Sequence, residues 1–337
     1  MEFPGIFFNT SLLTELKTPD QHKIYDMLIL GGGPAAMSAA IYAARKMLDI
    51  AIITIDFGGQ VKETSEVENY LGFQNINANE LISRFEEHVK AFNLPVNTGV
   101  AIKEIVKEEN IFKVLMEDGS SFSGKSIILA TGEHHKTLSV PGERELTGKG
   151  VSYCSICDAP LYVNKKVIIV GGGNSAFTTG LDLSRGNTEI IIVNLAKGWQ
   201  ADEILIQRLR NYRKVQLLDL HELISVNGKD KVESVTLRNL ETNEEKTIQV
   251  DGIFIEAGYL PNSDPVKNLV NLNDKGEVII DCICRTNVPG FFAAGDVTSI
   301  PYKQIIISAG EGAKAALSAY DYLNRFLENK NYDTGKR

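Results

Sequence analysis

Tyr25-Asp26-Met27-Leu28-Ile29-Leu30-Gly31-Gly32-Gly33-Pro34-Ala35-Ala36 is answered later in the chain by Val167-Ile168-Ile169-Val170-Gly171-Gly172-Gly173-Asn174-Ser175-Ala176. In each stretch a short apolar run reads as a buried strand, the glycines as a tight turn and the small residues after them as a helix start. The helices are expected to reach about Met47 and Ser184, followed by apolar strands from Ile50 to Ile55 and from Glu189 to Val193. Gly31, Gly33 and Ala36 each stand 140 residues before Gly171, Gly173 and Ala176. A GxGxxA turn between strand and helix suits a pyrophosphate: the first Gly allows the turn, the second lets the backbone come close, and the small third residue lets the helix pack on the strand. The helix N-terminus then faces the phosphate charge. One copy could be an ordinary glycine-rich turn; two copies in correct context point to a pair of dinucleotide sites.

The flanking segments extend the pattern. Ala101 to Phe122 alternates apolar and polar residues around Glu117-Asp118-Gly119, which predicts a hairpin leading into a buried strand Ser126 to Leu129 and the turn Ala130-Thr131-Gly132. Leu223 to Val250 repeats the alternation and leads into Gly252 to Ala257 and Gly258. Gly276 to Asp296 returns to strand character, and a helix is expected from about Ile305 to Phe326. The fold class is therefore α/β: two Rossmann-like dinucleotide-binding domains in three-layer ββα form, the second inserted in the first. The expected boundaries are an extension at 1–24, a first domain at 25–136 and 259–327, a second at 137–258 and a frayed polar tail at 328–337.

The bulk properties exclude several classes. A chain of 337 residues with 43% hydrophobic and 23% charged residues can bury two full cores. Its net charge of −8 argues against nucleic acid as a partner. No apolar run is long enough to span a bilayer, and Met1 to Lys23 lacks the basic start of a secretory signal, so neither membrane nor export is expected and the cytoplasm is the default location. The aromatic residues Phe3, Phe7 and Phe8 could pack on the body of the protein.

Four cysteines in a chain of this size are no disulfide scaffold, so Cys154-Ser155-Ile156-Cys157-Asp158 calls for a chemical reading. Zinc needs four ligands; the remaining cysteines are spaced Cys282-Ile283-Cys284, and none of the five His pairs with them, so no metal is expected. A buried structural pair is a second reading. A redox dithiol is favoured, because the CxxC spacing closes a small disulfide ring and an acid follows it. Asp158 is either a general acid/base beside the sulfurs or a residue at a helix start interacting with its dipole. If Cys282 and Cys284 lie on a strand they share one face, as small hydrophobes of the core or near-surface. His134 and His135 follow a turn with no evident partner and read as loop packing.

The ordered set GGGPAA, Gly58-Gly59-Gln60, Glu66 to Tyr70, Ala130 to Gly132, CxxCD, GGGNSA and FAAGD followed by Tyr302-Lys303-Gln304 resembles the low-molecular-weight thioredoxin reductases and the flavoprotein half of the alkyl hydroperoxide reductase F subunit. The resemblance spans about Tyr25 to Leu327. It implies FAD held by Gly31, Gly33, Ala36, Thr54, Gly58, Gly59, Gln60, Asn69, Ala130, Thr131, Gly132, Gly295, Asp296, Lys303, Gln304 and Ile305. It implies a redox pair Cys154 and Cys157, with Cys157 facing the flavin and Asp158 as acid/base. NADH or NADPH would bind at Gly171, Gly173, Asn174, Ser175, Ala176 and Asn194. Members are homodimers whose inserted domain rotates, with hinges expected near Lys136 and Gly258. The segment from Pro301 to Lys314 looks like the peroxide-reductase branch, which carries a further N-terminal thioredoxin-like domain. With only some 24 residues before the first strand, a stand-alone thioredoxin-disulfide reductase serving a separate thioredoxin-like or glutaredoxin-like protein is the expectation.

The second dinucleotide turn departs from the family pattern. NADPH-dependent members place an Arg cluster after the second strand, and Val193-Asn194-Leu195-Ala196-Lys197-Gly198-Trp199-Gln200 has no Arg. Phe177-Thr178-Thr179 stands where relatives commonly have a Glu. NADH, or both nucleotides, is the favoured donor. A ferredoxin-linked reductase with a degenerate nucleotide site is the alternative, and an NADH oxidase is a further reading.

Overall fold

The computed structural model describes residues 17–64 and 66–334; the aromatic residues of the N-terminal extension lie outside them. Of the described residues, those up to Lys62, Asn79–His134 and those from Leu260 onward form one unit, and Glu63–Ala78 with His135–Tyr259 form another.

The first unit is built on a mixed sheet in the order Val96–Asn97, Ile50–Ile53, Ile24–Leu30, Ser121–Leu129, Ile111–Met116, Ile102–Glu108. The strand Ser121–Leu129 shows in one run why the two kinds of pairing meet there. Its first half alternates half-buried and buried residues and pairs antiparallel with Ile111–Met116. Its second half, Ser126 to Leu129, is buried throughout and lies between Ile24–Leu30 and Phe291–Ala293, both parallel to it. Alternation belongs to a sheet covered on one face, and a continuous apolar run to one covered on both. The expected hairpin is thus a three-stranded meander whose last strand carries on into the core.

Helix Pro34–Arg45 buries Ala35, Ala36, Ala39, Ala40 and Ala43, and helix Ile305–Thr334 buries Ala315, Ala316 and Ala319 in the same apolar cluster. Small residues let the two axes approach, and the limit is reached at Gly312, where a Cβ would stand 1.9 Å from the Ala35 carbonyl oxygen. The closing helix passes the end expected near Phe326 and runs through the polar stretch read as a tail, because no Gly or Pro interrupts the sequence between Gly312 and Gly335. Helix Ala78–Lys90 is an element the sequence reading left out; Leu81, Ile82 and Val89 form its buried face.

The second unit has a five-stranded parallel sheet in the order Val151–Ser152, Gly252–Ile255, Lys166–Val170, Glu189–Val193, Val215–Leu218. Helices Asn174–Ser184 and Glu203–Arg210 accompany it, as does an antiparallel meander of His221–Asn227, Ser234–Asn239 and Glu245–Gln249. Beyond the charged residues Lys166 and Glu189 that open two of them, the core strands are apolar and buried, as a parallel sheet covered on both faces requires.

Between Gly276 and Asp296 the expected strand character holds only at Phe291–Ala293. Cys282 and Cys284 lie in a turn, one exposed and one buried, and do not share a strand face. The turn has a local cause: the Asp281 carboxylate accepts hydrogen bonds from the backbone N–H of Ile283 (3.0 Å) and of Arg285 (2.9 Å) and from Arg285 Nε (2.7 Å). An Asp that satisfies the following backbone in this way bends the chain out of a ladder. Among the described residues no helix is long and apolar enough to cross a membrane.

The helix contact makes a paired prediction. Gly312→Ala should lower the unfolding free energy by about 1–3 kcal/mol through overpacking against Ala35. Gly310→Ala, with nothing within 4 Å of its Cβ position, should raise it by up to about 1 kcal/mol. Urea denaturation of the two variants beside the parent checks both signs.

Candidate active site

In the first unit, strands Ile24–Leu30 and Ser121–Leu129 end side by side, and Ala130 N–H donates to the Leu30 carbonyl (2.7 Å). Gly31 takes φ +127°, and a Cβ on it would lie 2.1 Å from the Ala130 carbonyl oxygen. Gly33 caps helix Pro34–Arg45 with no side-chain hydrogen bond to the helix start, and nothing stands within 4 Å of its own Cβ position. A helix start whose first N–H groups lack a capping side chain, with open space above its cap, is a cradle for a phosphate.

The other expected FAD residues gather around that cradle in part. A Cβ on Gly59 would face the Gly33 Cα at 3.5 Å, and one on Gly295 would face the Ala35 Cβ at 3.0 Å. Gly58 N–H donates to Gly32 O (2.9 Å), and Gln60 Nε2 donates to Glu133 O (2.5 Å). Thr54 spends its hydroxyl on Asp56 O (2.6 Å), so it shapes the loop. Ala130, Thr131 and Gly132 are held from behind: Asn262 Nδ2 donates to Thr131 O (2.8 Å), Asn262 N–H to Gly132 O (2.9 Å), and Thr131 Oγ1 to Asn262 O (2.9 Å). Asp296 accepts from Ser308 Oγ (2.9 Å), and burial raises its carboxyl above the usual range. Lys303 Nζ donates to Asp296 O (3.0 Å) and pairs with Glu277 (3.1 Å); Gln304 Nε2 donates to Lys303 O (2.7 Å), and Ile305 opens the closing helix. Asn69 is exposed and lies on the 63–78 segment, which clusters with the second unit.

Sequence reasoning passed over Glu133 in this unit. It is 7% exposed, and its carboxyl is pushed up to about 7 by burial first and by the Asp296 charge next, with Lys303 opposing. The signal was available: a charged residue directly after an Ala-Thr-Gly turn at the end of a buried strand. His134 and His135, read as loop packing without partners, are placed specifically. His134 Nδ1 meets Asn262 Oδ1 (2.7 Å), and within the second unit the His135 ring stacks on Tyr153 at 3.3 Å.

In the second unit Cys154 and Cys157 form a disulfide, with Cα atoms 5.4 Å apart. Cys154 caps the short helix Ser155–Asp158, and its Sγ accepts from Cys157 N–H (3.3 Å). Ser152 Oγ accepts from Cys154 N–H (3.2 Å) and fixes the approach to the turn. Asp158 is buried, and its carboxylate accepts from Thr64 Oγ1 (2.9 Å). Burial raises its pKa, and hydrogen bonds from Ser152 and Thr64 oppose the rise. Its side chain is thus committed to other side chains. Tyr162, unremarked in the sequence, is pushed up to about 12 by burial and by the neighbouring Asp158 and Asp251.

The second glycine-rich turn repeats the geometry of the first. Gly171 has φ +150°, and its Cβ position lies 2.6 Å from Glu256 O; Gly173 caps helix Asn174–Ser184 without a side-chain bond, and its Cβ position is open. Ala176 is buried and Ser175 exposed. Asn194 turns inward: it is 7% exposed, and its Nδ2 reaches Ala196 O (3.2 Å), Gly198 O (2.6 Å) and Gln200 Oε1 (3.3 Å). Its amide nitrogen is therefore spent on the 194–200 loop. Asn174 exchanges two hydrogen bonds with Asp202 (3.1 and 2.7 Å). Glu256 accepts from Thr179 Oγ1 (2.6 Å), with its pKa raised by burial. Among the described residues, no group of three or more His, Cys, Asp or Glu could hold a metal.

Two glycine-rich α/β units, one carrying a CxxC disulfide, define a class of redox proteins. A family model described as pyridine nucleotide-disulphide oxidoreductase matches residues 25–317, and the chain belongs to that family. The chain is 42% identical over 301 residues to the F subunit of the alkyl hydroperoxide reductase of Staphylococcus aureus, across 89% of this chain and 59% of that protein. It therefore spans about three fifths of the length of such curated relatives. Among solved structures, thioredoxin reductase from Streptococcus pyogenes matches with a TM-score of 0.85 and 35% identity, covering 90% of this chain and 99% of that one. The thioredoxin reductase of T. acidophilum is 36% identical with a TM-score of 0.61, covering 89% and 99%.

Glu133 gives a pH prediction. Its ordinary pKa is near 4.5 and its folded value about 7, so ionising it opposes folding, by nothing at low pH and by a growing amount as pH rises from 4.5 through 7. Glu133→Gln should match the parent in stability near pH 4 and exceed it by about 1–3 kcal/mol at pH 8. Denaturant unfolding at the two pH values checks it.

Proposed function

We propose that this chain is a flavin-dependent disulfide reductase that passes electrons from a pyridine nucleotide to the Cys154–Cys157 pair and on to a thioredoxin-like or glutaredoxin-like protein. The observation that carries the reading is the disulfide itself, closed at a half-buried helix cap and followed by the buried carboxyl of Asp158. The relatives named as thioredoxin reductases and as part of a hydroperoxide reductase support it.

The residues present fit FAD in the first unit: an uncapped helix start at Gly33, open space above it, and Gly59 and Gly295 kept small around it. Gly31, Gly33 and Ala36 would receive the pyrophosphate, and Asp296 and Gln304 would lie at the start of the closing helix to bind the remainder. A bound flavin supplies a ring that exchanges two electrons with a nicotinamide and with a disulfide.

The chain's own contribution is to the sulfurs and protons. Reduction breaks the S–S bond with two electrons and two protons. Asp158, the residue after Cys157 and buried, with its pKa raised by that burial, is the group that would give a proton to a leaving sulfur. Cys157 N–H, already directed at Cys154 Sγ, stabilises a thiolate there as the group that attacks the partner's disulfide.

For the donor, the second unit supports NADH or both nucleotides. A 2′-phosphate calls for Arg, and the 194–200 loop offers only an exposed Lys197. NAD-selective sites use a carboxylate on the ribose, and Asn194 is turned inward.

Anaerobic FAD-loaded protein should lose its flavin absorbance with NADH, and with NADPH at a rate within about tenfold. Reduction by chemically reduced ferredoxin with neither nucleotide active would replace this donor. Cys157→Ser should keep that bleaching and lose disulfide turnover altogether; oxygen consumption surviving in the variant at the parent's rate would indicate an oxidase. Asp158→Asn should lower turnover roughly 100-fold or more with little change in KM, read from steady-state kinetics with a thioredoxin-like substrate.

A further inference from the structure

The turn Asp281-Cys282-Ile283-Cys284-Arg285 belongs to the first unit, whereas Cys154 and Cys157 belong to the second. Cys284 N–H donates to Asp281 O (3.0 Å), and the Asp281 carboxylate ties down Ile283 and Arg285. Cys284 is held at φ +65°, a conformation that a side chain with a Cβ rarely adopts. It is fully buried, and its thiol donates to Glu311 Oε2 (3.0 Å), while Lys314 Nζ holds the other carboxylate oxygen (2.5 Å). Cys282 is exposed.

We propose that Cys282 and Cys284 are a second redox pair, in which a hydroperoxide oxidises exposed Cys282 and buried Cys284 closes an intramolecular disulfide with Glu311 as the base. In the first step the Cys282 thiolate attacks the terminal peroxide oxygen. The S–O bond forms, the O–O bond breaks, and the departing alkoxide takes a proton to leave as alcohol; Cys282 becomes a sulfenic acid and the peroxide is reduced. In the second step Cys284 sulfur attacks Cys282 sulfur. The S–S bond forms and the S–O bond breaks. The thiol proton passes to Glu311, and hydroxide leaves as water on protonation.

The arrangement assigns each residue its part. Two Cα atoms two residues apart are separated by at most about 7 Å and by less in a turn, within reach of the roughly 4.4–6.8 Å range of disulfides. Burial and the Glu311 carboxylate keep the Cys284 thiol protonated, which protects it from direct oxidation and makes a base necessary. The base is in contact before the reaction starts.

The test uses the full chain, reduced and then exposed to tert-butyl hydroperoxide, with free thiols alkylated before trypsin digestion. The peptide from Gly276 to Arg285 carries both cysteines and is separate from the one carrying Cys154 and Cys157. The expected product is that peptide unalkylated and lighter by two hydrogens, restored by dithiothreitol. In Cys284→Ser, dimedone should instead trap a sulfenic acid on Cys282. In Glu311→Gln, disulfide formation should slow at least tenfold while dimedone trapping early in the reaction is unchanged. A peptide that stays fully alkylatable, or that carries an over-oxidised Cys282 beside an intact Cys284, would overturn the pairing. An unaltered rate in Glu311→Gln would remove Glu311 from the proposal.

Discussion

The carbonyl oxygen of Ala130 occupies the space that any side chain at residue 31 would need. That exclusion sets the rest of the first unit in order. Strand Ile24–Leu30 can turn at once into helix Pro34–Arg45 only because residue 31 is a glycine with positive φ, and the turn leaves the helix start uncapped and open. The alanine face of the helix then admits the closing helix at Gly312, and that helix begins beside Asp296 and Gln304. The second unit uses the same constraint at Gly171, with the Glu256 carbonyl in the corresponding place.

Much of this was written in local sequence. The spacing of Gly31, Gly33 and Ala36 and its recurrence at Gly171, Gly173 and Ala176 located both turns, and strand Glu189–Val193 and helix Asn174–Ser184 fall within a residue of expectation. These features are local, since a tight turn and an apolar run are set by neighbours in the chain. Gly276 to Asp296 misled because its apolar residues suggest a strand, while Asp281 binds the backbone two and four residues on and turns it away. Helix Ala78–Lys90 escaped because its apolar positions are diluted by charged residues that face outward.

The site was legible in its identities and less so in its commitments. CxxCD located the disulfide, but the bond from Thr64 to Asp158 joins residues far apart in sequence. Asn194 stood at the expected position, yet only the folded loop shows its amide spent on Ala196 and Gly198 carbonyls. The uncommon pKa of Glu133 comes from burial beside Asp296, again a distant neighbour. What sequence withholds here is the use to which a polar side chain is put once the chain has closed around it.

The order in which the chain is made acquires meaning from the placement of Phe291–Ala293 and Ile305–Thr334. Both complete the unit that begins at the N-terminal end, one as a strand beside Ile127 to Leu129 and the other as the cover for the alanine face of Pro34–Arg45. On the ribosome, residues 135–259 have emerged before either piece exists. The inserted unit can therefore settle while the earlier one still waits with an apolar helix face and an open sheet uncovered. During that interval the surface left bare is the stripe of small residues on Pro34–Arg45 that later packs against the closing helix.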